Sequence, residues 1–230
     1  MPERRALVIF PHAGGSAAAY RDVVRRLQGD AEIHVIELPG HGRLGQQPFL
    51  KDMPAIGAFA ADQVRAIVAA RPAVFFGHSM GSWVALLAAQ RLRDLPVRHL
   101  FASAARPPHL GIHRNLLTLG PDAFIRELER LGGVPPELAS DRDAIELFLP
   151  ALRADLVAIE PFKPPLGEPV DVPVTALRAA GDDITFDDAA AWRETTRAAF
   201  DIRTLPGGHF YLMEQPELLA ALLRRELTRD

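Results

Sequence analysis

Short apolar runs alternate along the chain with longer segments whose apolar residues recur every three to four positions. The runs at 6–10, 32–38, 74–76 and 97–102 are rich in strand formers, as strands buried on both faces of a sheet are. Segment 53–70 instead has the periodicity of an amphipathic helix. Alternating strands and helices predict an α/β fold, with a mostly parallel sheet and helices on both of its faces.

This alternation stops between residues 105 and 165, where the pattern contains two amphipathic helical stretches and no convincing strand. The first stretch begins at Pro121. The second starts at Ser140, and Pro150 is expected to kink or break it. A helical insertion in an α/β chain is typical of a lid over the carboxyl edge of the sheet, where such folds bind ligands. Additional helical packing without a gating role is the alternative.

The α/β pattern resumes after the insertion. Strands and helices are predicted in alternation at 174–177, 189–199, 200–205 and 217–227. The chain is therefore expected to consist of a core formed by residues 1–104 and 166–230, interrupted by a helical lid at 105–165.

Composition narrows the class of protein. The chain has 230 residues, enough for one large domain with an insertion. Its net charge of −3 and the lack of long runs of like charge give no reason to expect nucleic acid. Cysteine is absent, which excludes disulfides, thiolate metal sites and a cysteine nucleophile. No apolar run is long enough for a signal peptide or a membrane span, so a soluble, cytoplasmic protein is expected.

A strand–turn–helix pattern surrounds the sequence Gly77-His78-Ser79-Met80-Gly81. Glycines two positions before and after the serine let strand and helix pack closely, which leaves the hydroxyl exposed at the tip of the turn. The serine also lies at a helix N-terminus, where free N–H groups can stabilise negative charge. By chance this glycine–serine spacing arises in roughly one chain in twelve of this length, so its interpretation depends on the other residues.

Paired glycines, Gly14 and Gly15, follow the first predicted strand. They indicate either a tight turn or a loop that aims the amide of Ala13 at a developing oxyanion. In the second case the amide of Met80 would be the other donor of an oxyanion hole. These residues alone leave both interpretations open.

Residues 40–45 contain a formal Gly-x-Gly-x-x-Gly pattern after a strand. We reject a dinucleotide site because Pro39 precedes the turn. Residues 46–48, Gln-Gln-Pro, also stand where a helix should begin and receive the pyrophosphate. A loop is predicted.

A serine becomes a good nucleophile when a base removes its proton, and a carboxylate can orient that base. In α/β-hydrolases the order along the chain is serine, acid, histidine, each at the carboxyl end of a strand. Ser79, Asp182 and His209 satisfy this order. Of the eight histidines, His209 alone follows the last predicted strand. Asp183 is adjacent to Asp182 and is the alternative acid; Asp182 is preferred.

Several motifs together resemble the type II thioesterases of polyketide and nonribosomal peptide synthesis. They are Phe-Pro-His-Ala-Gly-Gly-Ser at 10–16, Gly-His-Ser-Met-Gly at 77–81 and Gly-Gly-His-Phe-Tyr-Leu at 207–212. The segments at 130–137 and 149–155 resemble the lid of that family. The resemblance covers nearly the whole chain. Among the departures, Pro-Gly-His at 39–41 replaces the more usual Pro-Gly-Arg, and Ala179 replaces a glycine three positions before the acid.

This resemblance implies an α/β-hydrolase fold and an editing thioesterase. Such an enzyme releases acyl groups from the phosphopantetheine arm of an acyl or peptidyl carrier protein through an acyl-serine intermediate. The resemblance places the triad acid on Asp182. Because phosphopantetheine belongs to the substrate, no cofactor and no metal of the enzyme's own are expected. A monomer whose partner is a carrier protein is predicted.

Other functions remain open at this stage. An esterase of free small esters or a lyase could use the same triad, and a catalytically silent hydrolase fold could bind a ligand. The stretch containing Arg106, His109, His113 and Arg114 lacks acidic residues. It is a hypothetical docking surface for an acidic carrier protein, although a solvated surface run has the same pattern.

Overall fold

The computed structural model describes residues 5–68, 71–113, 115–133 and 142–229, with the backbone alone for residues 142–148. Strands lie at Ala6–Phe10 (β1), Glu32–Val35 (β2), Ala73–His78 (β3), Val97–Ser103 (β4), Val174–Ala179 (β5) and Phe200–Leu205 (β6). They form one sheet in the order β2-β1-β3-β4-β5-β6. Every neighbouring pair is parallel, which confirms the predicted fold class.

Helices flank this sheet. They lie at Arg21–Leu27 (α1), Met53–Val68 (α2), Met80–Arg91 (α3), Pro121–Leu131 (α4), Arg142–Ile159 (α5), Phe186–Ala190 (α6), Tyr211–Glu214 (α7) and Pro216–Leu227 (α8). None of the helices in the described ranges combines the length and the apolar character needed to cross a bilayer.

The central strands are buried on both faces, as their continuous apolar runs predict. Because successive side chains of a strand point to opposite faces, β1 divides its residues between two cores. Val8 and Phe10 pack on the side of α2 and α3. Leu7 and Ile9 pack on the side of α1 and α8. A change of register in β1 would therefore disturb both cores.

The order of the strands creates a crevice at the carboxyl edge of the sheet. β1 lies between β2 and β3. After β1 the chain adds β2 on one side of it, and from β3 onward each new strand is added on the other side. The helices that follow these two strands cover opposite faces of the sheet. The loops after β1 and β3 therefore diverge, which is where open α/β sheets bind their ligands.

The two helices predicted for the insertion are present as α4 and α5, and its described part contains no strand. α4 ends at a left-handed Gly132 whose neighbour Gly133 donates to the Leu128 carbonyl at 2.8 Å. α5 continues through Pro150, so the helix does not break there, and the alternative of a kink stays a prediction. The proposed start at Ser140 lies outside the described residues. The division into core and lid remains a prediction.

The helix predicted at 189–199 is wrong in its second half. α6 ends at Ala190 and a single 3-10 turn follows, after which Thr196 is extended and bridges to Val170. The Thr196 hydroxyl also donates to the carbonyl of Val172 at 2.7 Å. These tertiary bonds outweigh the helical propensity of the alanine-rich segment.

Candidate active site

Ser79 occupies a strained turn between β3 and α3. Its φ of 53° and ψ of −123° are rare for a residue with a side chain, and the N–H donates to the Ser103 carbonyl at 2.7 Å. The flanking glycines are required by space. A Cβ added at Gly81 would lie 1.9 Å from the carbonyl oxygen of Phe10, and one added at Gly77 would lie 2.3 Å from the Gly81 oxygen. The turn is a nucleophile elbow.

The side chain of Ser82 stabilises this elbow by hydrogen bonds to the backbone of β3 and β4. Its buried hydroxyl accepts the N–H of Ser103 at 3.0 Å. It lies 2.9 Å from the carbonyls of both Gly77 and Ser103, and donates to one of them. Sequence reasoning missed Ser82, because a serine in the first turn of a helix is ordinarily a polar surface position.

His209 pairs with Asp182. Its Nδ1 lies 3.1 and 3.0 Å from the two carboxylate oxygens of Asp182, whose side chain is 2% exposed. Since an ionised carboxylate only accepts, Nδ1 carries the proton and Nε2 is left free to act as a base. Asp183 instead lies 2.6 Å from Arg130 of α4. The geometry therefore favours Asp182 over Asp183 as the partner of the histidine.

Hydrogen bonds of the backbone hold together the loop after β5, which contains Asp182, and the loop after β6, which contains His209. The N–H of Gly181 donates to the Gly207 carbonyl at 2.9 Å. The N–H of Asp183 donates to Oδ1 of Asp182 at 2.7 Å, which leaves that carboxylate little freedom to rotate. Parallel pairing of β5 with β6 places both loops at one edge of the sheet.

One cavity of about 170 Å³ brings together the five predicted site residues, Ala13, Ser79, Met80, Asp182 and His209. Among the hydrogen bonds of the described residues, none joins the Ser79 hydroxyl to His209. This contact is commonly long in free enzymes until substrate binds. The catalytic roles of these residues remain predictions.

The cavity walls are largely apolar, and several come from the insertion. The apolar side chains include Trp83, Ile112, Leu116, Leu131, Leu156 and Ile159. Of these, Leu131 belongs to α4, and Leu156 and Ile159 belong to α5. Side chains of the insertion therefore line the cavity, and its role as a lid stays a prediction. Among the described residues no group of three or more acidic or histidine side chains could hold a metal ion.

Two further histidines near His209, His12 and His78, are buried. Burial, followed by the charges of His209 and His41, lowers the pKa of His12 to about 3. Burial, followed by the charges of His209 and His12, places the pKa of His78 well below its usual value. Both rings are therefore neutral. Phe210 packs against His12 and His209 with centroids 4.8 and 5.0 Å apart.

In the described part of the hypothetical basic docking stretch, each basic side chain lies near an acidic residue of the chain. Arg106 and His113 lie 3.1 and 2.8 Å from the buried carboxylate of Asp188. His109 lies 3.7 Å from Glu194. Arg114 is outside the described residues. Docking of an acidic carrier protein at this stretch stays a prediction, in which the carrier would compete with these acidic partners.

A parallel sheet, a serine on a nucleophile elbow and a histidine–aspartate pair at neighbouring strand ends define the chain as an α/β-hydrolase. Residues 5–227 match the family described as the thioesterase domain. The chain therefore belongs to the thioesterase domain family.

Among curated proteins, the chain is 32% identical over 227 residues to the "probable cadicidin biosynthesis thioesterase" of Streptomyces griseus. That alignment covers 97% of this chain and 63% of the relative, so the chain spans somewhat less than two thirds of that protein.

Two solved structures are also similar to this chain. RedJ, a thioesterase of the prodiginine pathway of Streptomyces coelicolor, has 35% identity and a TM-score of 0.89, covering 96% of this chain and 85% of RedJ. YbtT, the type II thioesterase of the yersiniabactin pathway, has 29% identity and a TM-score of 0.88, and the match covers 98% of this chain and 94% of YbtT. The resemblance to type II thioesterases is thereby confirmed.

Proposed function

We propose that the protein is a serine thioesterase that hydrolyses acyl groups from the phosphopantetheine arm of acyl or peptidyl carrier proteins. Its role would be the editing of stalled or incorrect acyl groups. The observation that supports this most is the shared cavity, which is lined by the strained Ser79, the His209–Asp182 pair, Ala13 and Met80. Membership of the thioesterase domain family supports the choice of thioesters as substrates.

The first half of the reaction forms an acyl-serine. Nε2 of His209 takes the proton of the Ser79 hydroxyl as its oxygen attacks the thioester carbonyl, and Asp182 stabilises the resulting imidazolium. The negative charge on the carbonyl oxygen is bound by the N–H groups of Ala13 and Met80. Met80 is the first residue of α3, so its N–H precedes the first intrahelical bond.

Release of the thiol ends the first half, and water completes the second. The carbon–sulfur bond breaks, and the sulfur leaves as a thiol with the proton held by His209. Because a thiol has a pKa of about 8.5, a thiolate is a better leaving group than an amine and depends less on a proton from His209. His209 then takes a proton from water as it attacks the acyl-serine. The proton returns to the Ser79 oxygen when the carboxylic acid leaves.

Trp83 is expected to limit acyl length. It lines the cavity one turn into α3, is almost fully buried, and its indole N–H donates to the Arg106 carbonyl at 2.6 Å. Trp83→Ala should raise kcat/KM for an octanoyl over an acetyl thioester by roughly 10-fold or more, because it frees apolar volume. Trp83→Phe, which keeps most of that volume, is the control. An unchanged ratio in Trp83→Ala would show that the acyl chain does not lie against this side chain.

The proposed function is tested with an acetyl-loaded carrier protein and a matched acetyl oxygen ester as separate substrates. We expect rapid release of the carrier thiol, much slower turnover of the oxygen ester, and an acetyl adduct on the peptide containing Ser79 when the reaction is quenched early. Mass spectrometry locates that adduct. Preference for the free ester would make the protein an esterase. Turnover of neither substrate, with no adduct, would favour a silent binding protein.

A further inference from the structure

A carboxylate of the insertion reaches into the core beside the candidate oxyanion hole. Asp155 projects from α5, and its side chain is 2% exposed. One of its oxygens, Oδ2, accepts the backbone N–H of Gly14 at 2.7 Å and lies 3.0 Å from Nε2 of His41. Asp155 thus joins helix α5 to the loop after β1 and to the loop after β2.

The hydrogen bonds of His41 define the charges in this cluster. Its Nδ1 lies 3.1 Å from the carbonyl of Pro39, which only accepts, so Nδ1 carries a proton. Oδ2 of Asp155 already accepts the Gly14 N–H, which favours the carboxylate, so Nε2 must also donate. The pair is therefore an imidazolium and a carboxylate. Burial lowers the pKa of His41, but the hydrogen bond and charge of Asp155, with the carbonyls of Pro39 and Leu38, outweigh burial and raise it.

Gly14 directly follows Ala13, which is one of the residues that line the cavity. The φ of Gly14 is 73°, in the left-handed region where glycine has more freedom than any other residue. A turn closed by the N–H of Gly15 and the carbonyl of His12, 2.9 Å apart, restrains one side of the loop. The carboxylate of Asp155 restrains the peptide between Ala13 and Gly14, and so the direction of the neighbouring Ala13 N–H.

We propose that Asp155 is a positioning residue for the oxyanion hole: from helix α5 it holds the Gly14 N–H and thereby aims the Ala13 N–H into the cavity, while His41 holds the carboxylate in place. The inference rests on the proposed function, because it requires the Ala13 amide to bind a developing oxyanion. A consequence is that the hole is complete only while α5 is packed against the core.

Glu160 supplies a matched control on the same side of the insertion. It follows the last residue of α5, and its carboxylate oxygen accepts the backbone N–H groups of Leu116 and Leu117 at 2.6 and 3.0 Å. Like Asp155, it is a carboxylate that accepts backbone amides of a loop. Its loop belongs to the insertion and not to the candidate oxyanion hole. Glu160→Gln therefore measures how much activity is lost when a carboxylate that binds loop amides is neutralised away from the candidate oxyanion hole.

The test compares Asp155→Asn with Glu160→Gln on acetyl-loaded carrier protein. An asparagine presents either an oxygen or an NH₂ group at the Oδ2 position, so it cannot serve both Gly14 and a neutral His41. We expect kcat of Asp155→Asn to fall by about 10- to 100-fold with KM changed by less than about threefold, since the oxyanion is bound only in the transition state. Glu160→Gln should keep kcat within about twofold of the wild type, and any effect should fall on KM, because the Leu116 that it holds lines the cavity.

Hydrogen–deuterium exchange supplies a second measurement, which does not depend on turnover. Peptides that contain residues 11–16 should exchange faster in Asp155→Asn than in the wild type, and should be unchanged in Glu160→Gln. Unchanged exchange at Gly14 in a folded Asp155→Asn protein would overturn the proposal.

The variant His41→Arg tests the ionic partner, because guanidinium keeps its charge at every accessible pH. The pKa of His41 is raised on folding, so the imidazolium is present below about pH 6.5 and is lost as pH rises through the folded value. The wild type should therefore lose kcat on its alkaline side, and His41→Arg should retain it. The titratable groups near His41 are Asp155 of α5, the neutral His12 of the loop after β1, and the Glu37–Arg43 pair flanking it in its own loop.

The outcomes separate this inference from the proposed function. If Ser79-dependent thioester hydrolysis is absent in the wild type, the proposed function fails. If that hydrolysis is present and Asp155→Asn retains wild-type kcat, or if Glu160→Gln loses as much as Asp155→Asn, the positioning role fails alone. An identical alkaline limb in His41→Arg would remove the part assigned to the imidazolium.

Discussion

Replacing Ser79 by alanine is expected to lower kcat for acyl-carrier hydrolysis by roughly 10⁴- to 10⁶-fold, or about 5 to 8 kcal/mol of transition-state stabilisation. Without the hydroxyl no acyl-enzyme can form, and only the oxyanion hole and the bound substrate remain to assist direct attack by water. KM should change little, because the apolar cavity that binds the acyl group is intact. The measurement is steady-state thiol release from an acetyl-loaded carrier protein.

Ser82→Ala is the informative comparison, because it removes a serine of the same elbow that does not face the substrate. The Ser82 hydroxyl is buried and bonds to backbone groups of Gly77 and Ser103. Its loss should lower the free energy of unfolding by about 1 to 3 kcal/mol. Ser79→Ala removes no such bond and should leave thermal stability nearly unchanged. Comparable activity in wild type and Ser79→Ala would exclude an acyl-serine mechanism.

Replacing Asp182 by asparagine is expected to lower kcat by about 10³- to 10⁴-fold. The carboxylate accepts the proton on Nδ1 of His209 and so leaves Nε2 unprotonated. The NH₂ group of asparagine can instead donate to Nδ1, which places the proton on Nε2 and removes the base. The imidazolium that forms during attack would also lose its counter-charge. Thiol release measured under saturating substrate reports this loss as kcat.

Asp183→Asn is the control for this prediction, because it makes the same chemical change at the next residue. Asp183 forms a largely exposed pair with Arg130, and such pairs contribute about 0 to 1 kcal/mol. Its kcat should stay within about threefold of the wild type. A larger loss in Asp183→Asn than in Asp182→Asn would show that Asp183 orients the histidine in the working enzyme.

The nucleophile elbow could be predicted from sequence because its requirements are local. Gly77 and Gly81 flank Ser79 within five residues. A tight strand–helix turn leaves no room for a Cβ at either position, so the sequence itself shows where such a turn can form. The parallel sheet was predictable for a similar reason, since strands buried on both faces need continuous apolar runs such as β1 and β3. The order of serine, acid and histidine then identified His209 among eight histidines.

Contacts between distant segments could not be predicted in this way. Asp182 and Asp183 have the same chemistry one residue apart, so only the resemblance to a family favoured Asp182; the fold turns Asp182 toward His209 and Asp183 toward Arg130 of α4. The basic groups at Arg106 and His113 form an exposed run in the sequence, yet the loop after β5 brings Asp188 against them.

By itself, the sequence determined the α/β architecture, the elbow at Ser79 and the position of the histidine, because strand burial and turn geometry depend on residues close together in the chain. Only the tertiary structure showed which groups the buried carboxylates contact, such as the Gly14 N–H and His41 beside Asp155. Asp155 lies in an ordinary helical pattern, and its partners Gly14 and His41 are more than one hundred residues away. A buried carboxylate is stable only where folding supplies donors, and periodicity contains no information about which donors those are.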